Sequence, residues 1–138
     1  MLSETLLCFI LFVTDGDTVV ANCDHHQIIV RLAAIDAPEK RQDFGIQSKQ
    51  SLVELCLYKN AEITPKTKDR FGRTVAYVNC SGVDANSEQI RRGMAWVFDK
   101  YVTDKSLYSL QNSAQSKHKG LWQHSSPTPP WEWRKAIN

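Results

Sequence analysis

Apolar and polar positions alternate unevenly along this chain, and the unevenness predicts its elements. Leu6 to Val13 is an unbroken apolar run that ends at Asp15-Gly16, which reads as a buried strand followed by a turn. Thr18-Val19-Val20-Ala21 begins a second strand, and Asn22 to His26 is a polar turn. Ile28 to Ile35 is a third strand, rich in β-branched residues at its start. Pro38 closes it into a charged loop running from Glu39 to Asp43.

From Phe44 to Tyr58 the period becomes helical, with Ser48, Leu52, Leu55 and Cys56 on one face. Ala61 to Thr64 is a short fourth strand closed by Pro65, Lys66 to Gly72 a basic loop, and Arg73 to Cys80 a fifth strand. Asp84 is placed to cap a helix through Arg92, with Gly93 as its left-handed terminator. Asp104 is placed to cap another, striped by Leu107, Leu110, Gln111 and Ala114 and stopped by Gly120. The segment Ser125 to Pro130 is extended. Three strands, a helix, two strands and further helices are what a five-stranded Greek-key barrel of OB type requires, with about three α-helices. The expected organisation is one domain over residues 1–123 and a Pro/Trp-rich tail over 124–138 that packs on it through Trp131 and Trp133.

The 138 residues, 42% hydrophobic and 23% charged, suit one soluble core and exclude collagen, long disorder or several membrane spans. The Leu6–Val13 run resembles a signal-peptide core, but no Lys or Arg precedes it and no small-x-small site follows. It is also too short to span a bilayer as a helix, so no membrane partner is expected. Cys8, Cys23, Cys56 and Cys80 occur singly, without a C-x-x-C pair, and are read as buried free thiols. If the protein is exported, Cys23 and Cys80 are the pair to inspect first.

Charge changes the picture through its distribution. Residues 1–60 hold eight Asp/Glu and five Lys/Arg, against seven and twelve in residues 61–138. An acidic half and a basic half suit a cation held beside a bound phosphate.

Three segments carry the chemistry. Asp15-Gly16-Asp17-Thr18 is by itself an ordinary hairpin turn, and it is not an EF-hand loop, whose twelfth position here is His26. In Arg31-Leu32-Ala33-Ala34-Ile35-Asp36-Ala37-Pro38-Glu39-Lys40, a charged Arg31 inside an apolar strand needs a partner or an anion, and Asp36 and Glu39 emerge at its end. In Asp69-Arg70-Phe71-Gly72-Arg73, Gly72 permits a tight turn that delivers Arg73 to the next strand. Together they supply two carboxylates for a hard cation, a third for a water, and two arginines for a phosphate. His25 and His26 read as hairpin-tip side chains.

In this order and spacing the three segments resemble the staphylococcal nuclease-like (thermonuclease) family. The similarity runs from about Cys8 to Trp122 and includes Tyr77, Asn86, Gly93, Ala95 and Gly120-Leu121-Trp122. The closing Pro129-Pro130-Trp131-Glu132-Trp133-Arg134 resembles bacterial and plasmid-borne members. The resemblance implies a Ca2+-dependent endonuclease acting on DNA and possibly RNA, leaving a 3′-phosphate. It implies Asp17, Asp36 and the backbone carbonyl of Ala37 as calcium ligands, with Asp15 supporting the ion's water shell. It implies Glu39 as general base, Arg31 and Arg73 as phosphate-binding catalytic arginines, and Arg70 and Tyr101 as nucleic-acid contacts. Phe71 and Asp99 stand where the family often has Tyr, which bears on nucleotide affinity and not on cleavage. Members are often exported, with the cytoplasm as the alternative compartment; the first strand starts so near Met1 that a leader or upstream barrel sequence is expected to be missing. A monomer is expected. The alternative reading is a catalytically inactive OB-fold module that binds nucleic acid, which would be expected to have lost some of these five: Asp17, Arg31, Asp36, Glu39 and Arg73.

Overall fold

Leu6–Asp15 (β1), Thr18–Cys23 (β2) and His26–Leu32 (β3) form an antiparallel meander in the computed structural model, which describes residues 4–137. Alternate residues of β1, namely Cys8, Ile10 and Val13, point into the core, with a register shift between Ile10 and Phe12. The third strand does not run on to Ile35. Ala34 adopts φ 69°, which breaks the extended backbone, and Ile35–Asp36 (β4) leaves in a new direction.

Gly45–Cys56 (α1) buries the predicted face of Ser48, Leu52, Leu55 and Cys56. Asn60–Lys68 (β5) pairs with β1 and with Thr74–Cys80 (β6). The expected stop at Pro65 is absent because a bulge between Pro65 and Thr67 absorbs the proline and lets pairing resume to Lys68. Lys66 and Lys68 are therefore exposed strand residues and not members of a loop. β3 then meets β6 in parallel, Val30 opposite Thr74 to Leu32 opposite Ala76, closing the strands β3-β2-β1-β5-β6 into a barrel.

Val83–Asp84 (β7) leads into Ala85–Arg91 (α2), where the Asp84 side chain accepts from the Ser87 amide and Gly93, at φ 71°, ends the turn. Trp96–Val97 (β8) pairs with β4. Ser106–Ser116 (α3) buries Leu107 and Ala114, and the Gln111 side chain accepts from the Val97 amide. A 3₁₀ turn follows at Gly120–Gln123, and Pro130–Ile137 (α4) closes the chain. The fourth α-helix exceeds the three expected; it begins at Pro130, the last residue of the stretch read as extended, and a proline at the first helical position lacks an N–H that would be unpaired there anyway.

The cysteines correct the sequence reading. Cys8 bonds to Cys23 and Cys56 to Cys80, and the four are not free thiols. Cys23–Cys80 is not the pairing, because Cys8 and Cys23 are opposed residues of β1 and β2, with Cα atoms 4.3 Å apart. Cys56, at the end of α1, faces the last residue of β6 across 5.2 Å. The barrel is thus stapled on both sides of the strand pair β1–β5. No helix among the described residues is long and apolar enough to cross a membrane.

Candidate active site at the barrel mouth

Two buried amides of α2 hold the loops that carry the acidic residues. Asn86 donates to the Ala33 carbonyl (2.8 Å) and accepts from the Val78 amide (2.9 Å), which pins the chain where it leaves β3. Gln89 donates to the Gly16 carbonyl (2.7 Å) and to that of Ser48 (3.1 Å), while Ser51 donates to its oxygen. This fixes the turn between Asp15 and Asp17 against α1. Gly16 has no room for a side chain, since a Cβ would stand 1.8 Å from the Ser48 hydroxyl. Both amides are almost fully buried with their bonds made, so the platform is rigid.

On that platform the predicted residues converge. Asp17 is buried; its oxygens accept from the Thr18 hydroxyl and from the Ala37 amide, both at 2.8 Å. Arg31 donates to the carbonyls of Leu32 (2.7 Å) and Ile35 (2.8 Å), so the arginine itself braces the bend that turns Asp36 inward. Its second nitrogen lies 3.5 Å from Asp17 and 3.4 Å from Asp36. The part-buried charge that the strand pattern made costly is thus paired twice. Asp36 is 1% exposed.

Burial and the neighbouring Asp17 push the Asp15 carboxyl up, against Lys40, Lys49 and Arg31. Burial likewise pushes Asp36 up, opposed by hydrogen bonds from Arg134 and by the charge of Arg31. Crowded carboxylates raised in this way would be relieved by a cation. Among the described residues no three His, Cys, Asp or Glu side chains converge as a metal cluster. The donors on offer, two carboxylates reaching one guanidinium nitrogen and Asp15 on the same cleft, are oxygen only. That chemistry fits a hard divalent ion that keeps part of its water.

Arg73 stands just before β6. Its Nε donates to Asp69 at 2.7 Å, and its own amide donates to the other Asp69 oxygen at 3.0 Å. Gly72, at φ 80°, makes the tight turn expected there. Arg70 and Arg73 both lie over the exposed Phe71 ring, 4.9 and 5.6 Å from its centroid. A cleft of about 480 Å³ runs beside this loop, with Arg31, Asp36, Arg70, Arg73 and Tyr101 on its walls. An adjoining one of about 890 Å³ takes in Asp15, Asp17 and Glu39. The hydroxyl of Tyr77 donates to the Tyr101 carbonyl and so anchors the backbone of that cleft residue. Asp99 is turned to α3, where Tyr108 donates to it. His25 is exposed in the β2–β3 hairpin at φ 67°.

One residue of the site had no signal in the sequence beyond its place in the tail. Arg134 of α4 donates to both oxygens of Asp36, at 2.7 and 3.2 Å, and to Glu39 at 3.2 Å. These bonds hold its guanidinium firmly in the charged form. It is 98 residues from Asp36 in sequence, so no local pattern could announce it. Trp131 brings it there by packing on Trp96 (5.7 Å) and Phe98 (5.9 Å).

The strands β3-β2-β1-β5-β6 thus close into an OB-type barrel that carries paired carboxylates and arginines at its mouth. Residues 29–124 match the family model described as staphylococcal nuclease homologue, and the chain belongs to that family. It is 40% identical over 133 residues to an "uncharacterized endonuclease" of Haemophilus influenzae, covering 96% of this chain and 75% of that protein. It is 34% identical over 135 residues to a "micrococcal nuclease" of Shigella flexneri, covering 90% and 78%. It is 36% identical over 106 residues to a "probable staphylococcal-like nuclease" of Oryza sativa, covering 77% of this chain but 32% of that one.

Proposed function

We propose that the chain is a calcium-dependent nuclease that hydrolyses internal phosphodiester bonds of DNA, and of RNA where the strand is open, as a monomer. The observation that carries the reading is Arg31 held between Asp17 and Asp36, with Glu39 and Arg73 on the same pair of clefts. Family membership and relatives named as nucleases support it. Asp17 and Asp36 would hold calcium, with the Ala37 carbonyl as a further ligand and Asp15 ordering its water. The bound ion would polarise a phosphoryl oxygen as a Lewis acid. Arg31 and Arg73 clamp the phosphate and neutralise the charge that builds as the phosphorus is attacked. Glu39 takes the proton of the attacking water. Cleavage that leaves a 3′-phosphate sends the other fragment off with a 5′-hydroxyl. Arg70 and Tyr101 line the path of the strand.

A nuclease assay on single- and double-stranded DNA and RNA tests the reading directly. Cleavage is expected with calcium and none with chelator. Nucleic-acid binding without cleavage under any divalent ion would favour the inactive binding module.

The arginines should part company with the lysines of β5. Arg31→Lys keeps a charge but loses the fork that spans two carbonyls and two carboxylates. Arg31→Lys and Arg73→Ala should each cost about 3–4 kcal/mol of transition-state stabilisation, by analogy with oxyanion donors. Lys66→Ala and Lys68→Ala, on exposed strand positions, should weaken binding in a salt-dependent way and leave kcat near wild type. Equal, modest losses in all four would sink the clamp.

A further inference from the structure

The helix α4 places a guanidinium on the same carboxylate that the proposed calcium ion would use. Arg134 engages both oxygens of Asp36 and one of Glu39, so it joins the expected ligand to the expected general base. Arg31 already stands 3.4 Å from one of the two Asp36 oxygens that Arg134 uses. A divalent ion drawn to Asp36 would meet two positive charges within a few ångströms and would need lone pairs that Arg134 occupies. The contact is anchored and not a chance surface pair. Trp131 packs on Trp96 and Phe98, and Gln42, in the loop after Glu39, donates to the Thr128 carbonyl at 2.6 Å. The tail is therefore tied to the very loop that carries Glu39. Asp36 is 1% exposed on its side chain while Arg134 is 39% exposed, so the arginine can leave toward solvent and the aspartate cannot.

From this we infer that Arg134 is a built-in counter-cation that competes with the metal, so that calcium binding and withdrawal of Arg134 from Asp36 and Glu39 are one coupled step. The inference rests on the calcium reading of the site. In the docked state Arg134 neutralises the acidic cluster and occupies Glu39, and the site is closed to chemistry. With a cation bound, the acidic residues would no longer need Arg134 for charge balance, and Glu39 would be free to accept a proton. The apparent affinity for calcium is then the intrinsic affinity reduced by the fraction of molecules with Arg134 withdrawn.

Calorimetric titration of calcium into the protein without nucleic acid separates the possibilities. Three variants are compared with wild type: Arg134→Ala, Arg134→Gln, which keeps most of the side-chain length, and Lys135→Ala. Lys135→Ala removes the same charge from the same helix and the same cleft wall, but Lys135 pairs with Glu132 at 3.8 Å and with neither Asp36 nor Glu39. Both Arg134 variants should bind calcium about tenfold or more tightly than wild type, while Lys135→Ala should stay within about twofold. In chelator, Arg134→Ala should melt below wild type, and saturating calcium should close most of that gap. Unchanged or weaker calcium affinity in both Arg134 variants, with wild type binding normally, would overturn the competition and leave the nuclease reading standing. Absence of calcium binding in all four proteins would overturn the calcium reading and this inference together.

Discussion

Asp36→Ala is expected to reduce cleavage roughly a thousandfold or more, and excess calcium is not expected to restore it. The estimate follows from losing several kcal/mol of Lewis-acid stabilisation, at tenfold per 1.36 kcal/mol. Asp36 is the less exposed of the two proposed carboxylate ligands: it is almost wholly buried, and both Arg31 and Arg134 reach it. Alanine removes the negative charge that both guanidiniums face, so net positive charge would remain where a cation has to bind. Part of the effect is structural, since Arg31 would keep its bonds to the Leu32 and Ile35 carbonyls but lose one of its two carboxylates. Asp36→Asn separates the two contributions by preserving shape and one acceptor oxygen. The asparagine variant should fold, melting below wild type in chelator because its NH2 group would face a guanidinium N–H, and still lose calcium binding in a titration. A purified, folded Asp36→Ala protein that cuts DNA at the wild-type rate would remove Asp36 from the metal set.

Glu39→Gln should lower turnover by about two to four orders of magnitude, the usual strength of general-base catalysis, while substrate binding changes little. Glu39 is part-buried, and its position is set by its backbone more than by its side chain. Pro38 restricts the approach, the Glu39 amide donates to the Gln42 side chain at 3.1 Å, and the Gln42 amide donates back to the Glu39 carbonyl at 2.8 Å. These bonds do not involve the carboxylate, so the glutamine variant keeps the loop. Its amide still has an oxygen for Arg134 to use but cannot take the proton of a water. Glu39→Asp keeps the charge and withdraws it by one methylene, which tests position instead of basicity. Single-turnover rates on a short oligonucleotide, with KM measured alongside, provide the readout. A folded, calcium-binding Glu39→Gln enzyme with undiminished turnover would take Glu39 off the catalytic set without touching the metal or arginine assignments.

Much of the barrel was legible because local rules acted alone. The first two strands follow from an apolar run meeting Asp-Gly, α1 from four residues at helical spacing, and α2 from an Asp cap at its start and a Gly at positive φ past its end. The three candidate segments could be singled out because each lies beside a turn that local residues define. Arg31 could be singled out as needing partners simply because a charge within an apolar strand is costly. Which partners it takes was another matter. The bend at Ala34 depends on the Asn86 amide holding the Ala33 carbonyl, a contact across 53 residues, so pattern alone extended β3 too far. The bulge that carries β5 past Pro65 likewise depends on its pairing with β6.

The cysteines and Arg134 mark the boundary between sequence and tertiary structure most clearly. Spacing cannot say that Cys8 and Cys23 face one another, because that follows from the register of two strands and not from their separation along the chain. The sequence by itself determined the barrel's order of elements and the residue types at its mouth, since turns, caps and apolar periodicity are local properties. Only the tertiary structure decided the disulfide pairs, the burial that raises Asp15 and Asp36, and the docking of α4 that sets Arg134 on Asp36 and Glu39. Those depend on closure of the barrel and on aromatic packing between segments far apart in the chain, where contact is set by shape and no short-range pattern records it.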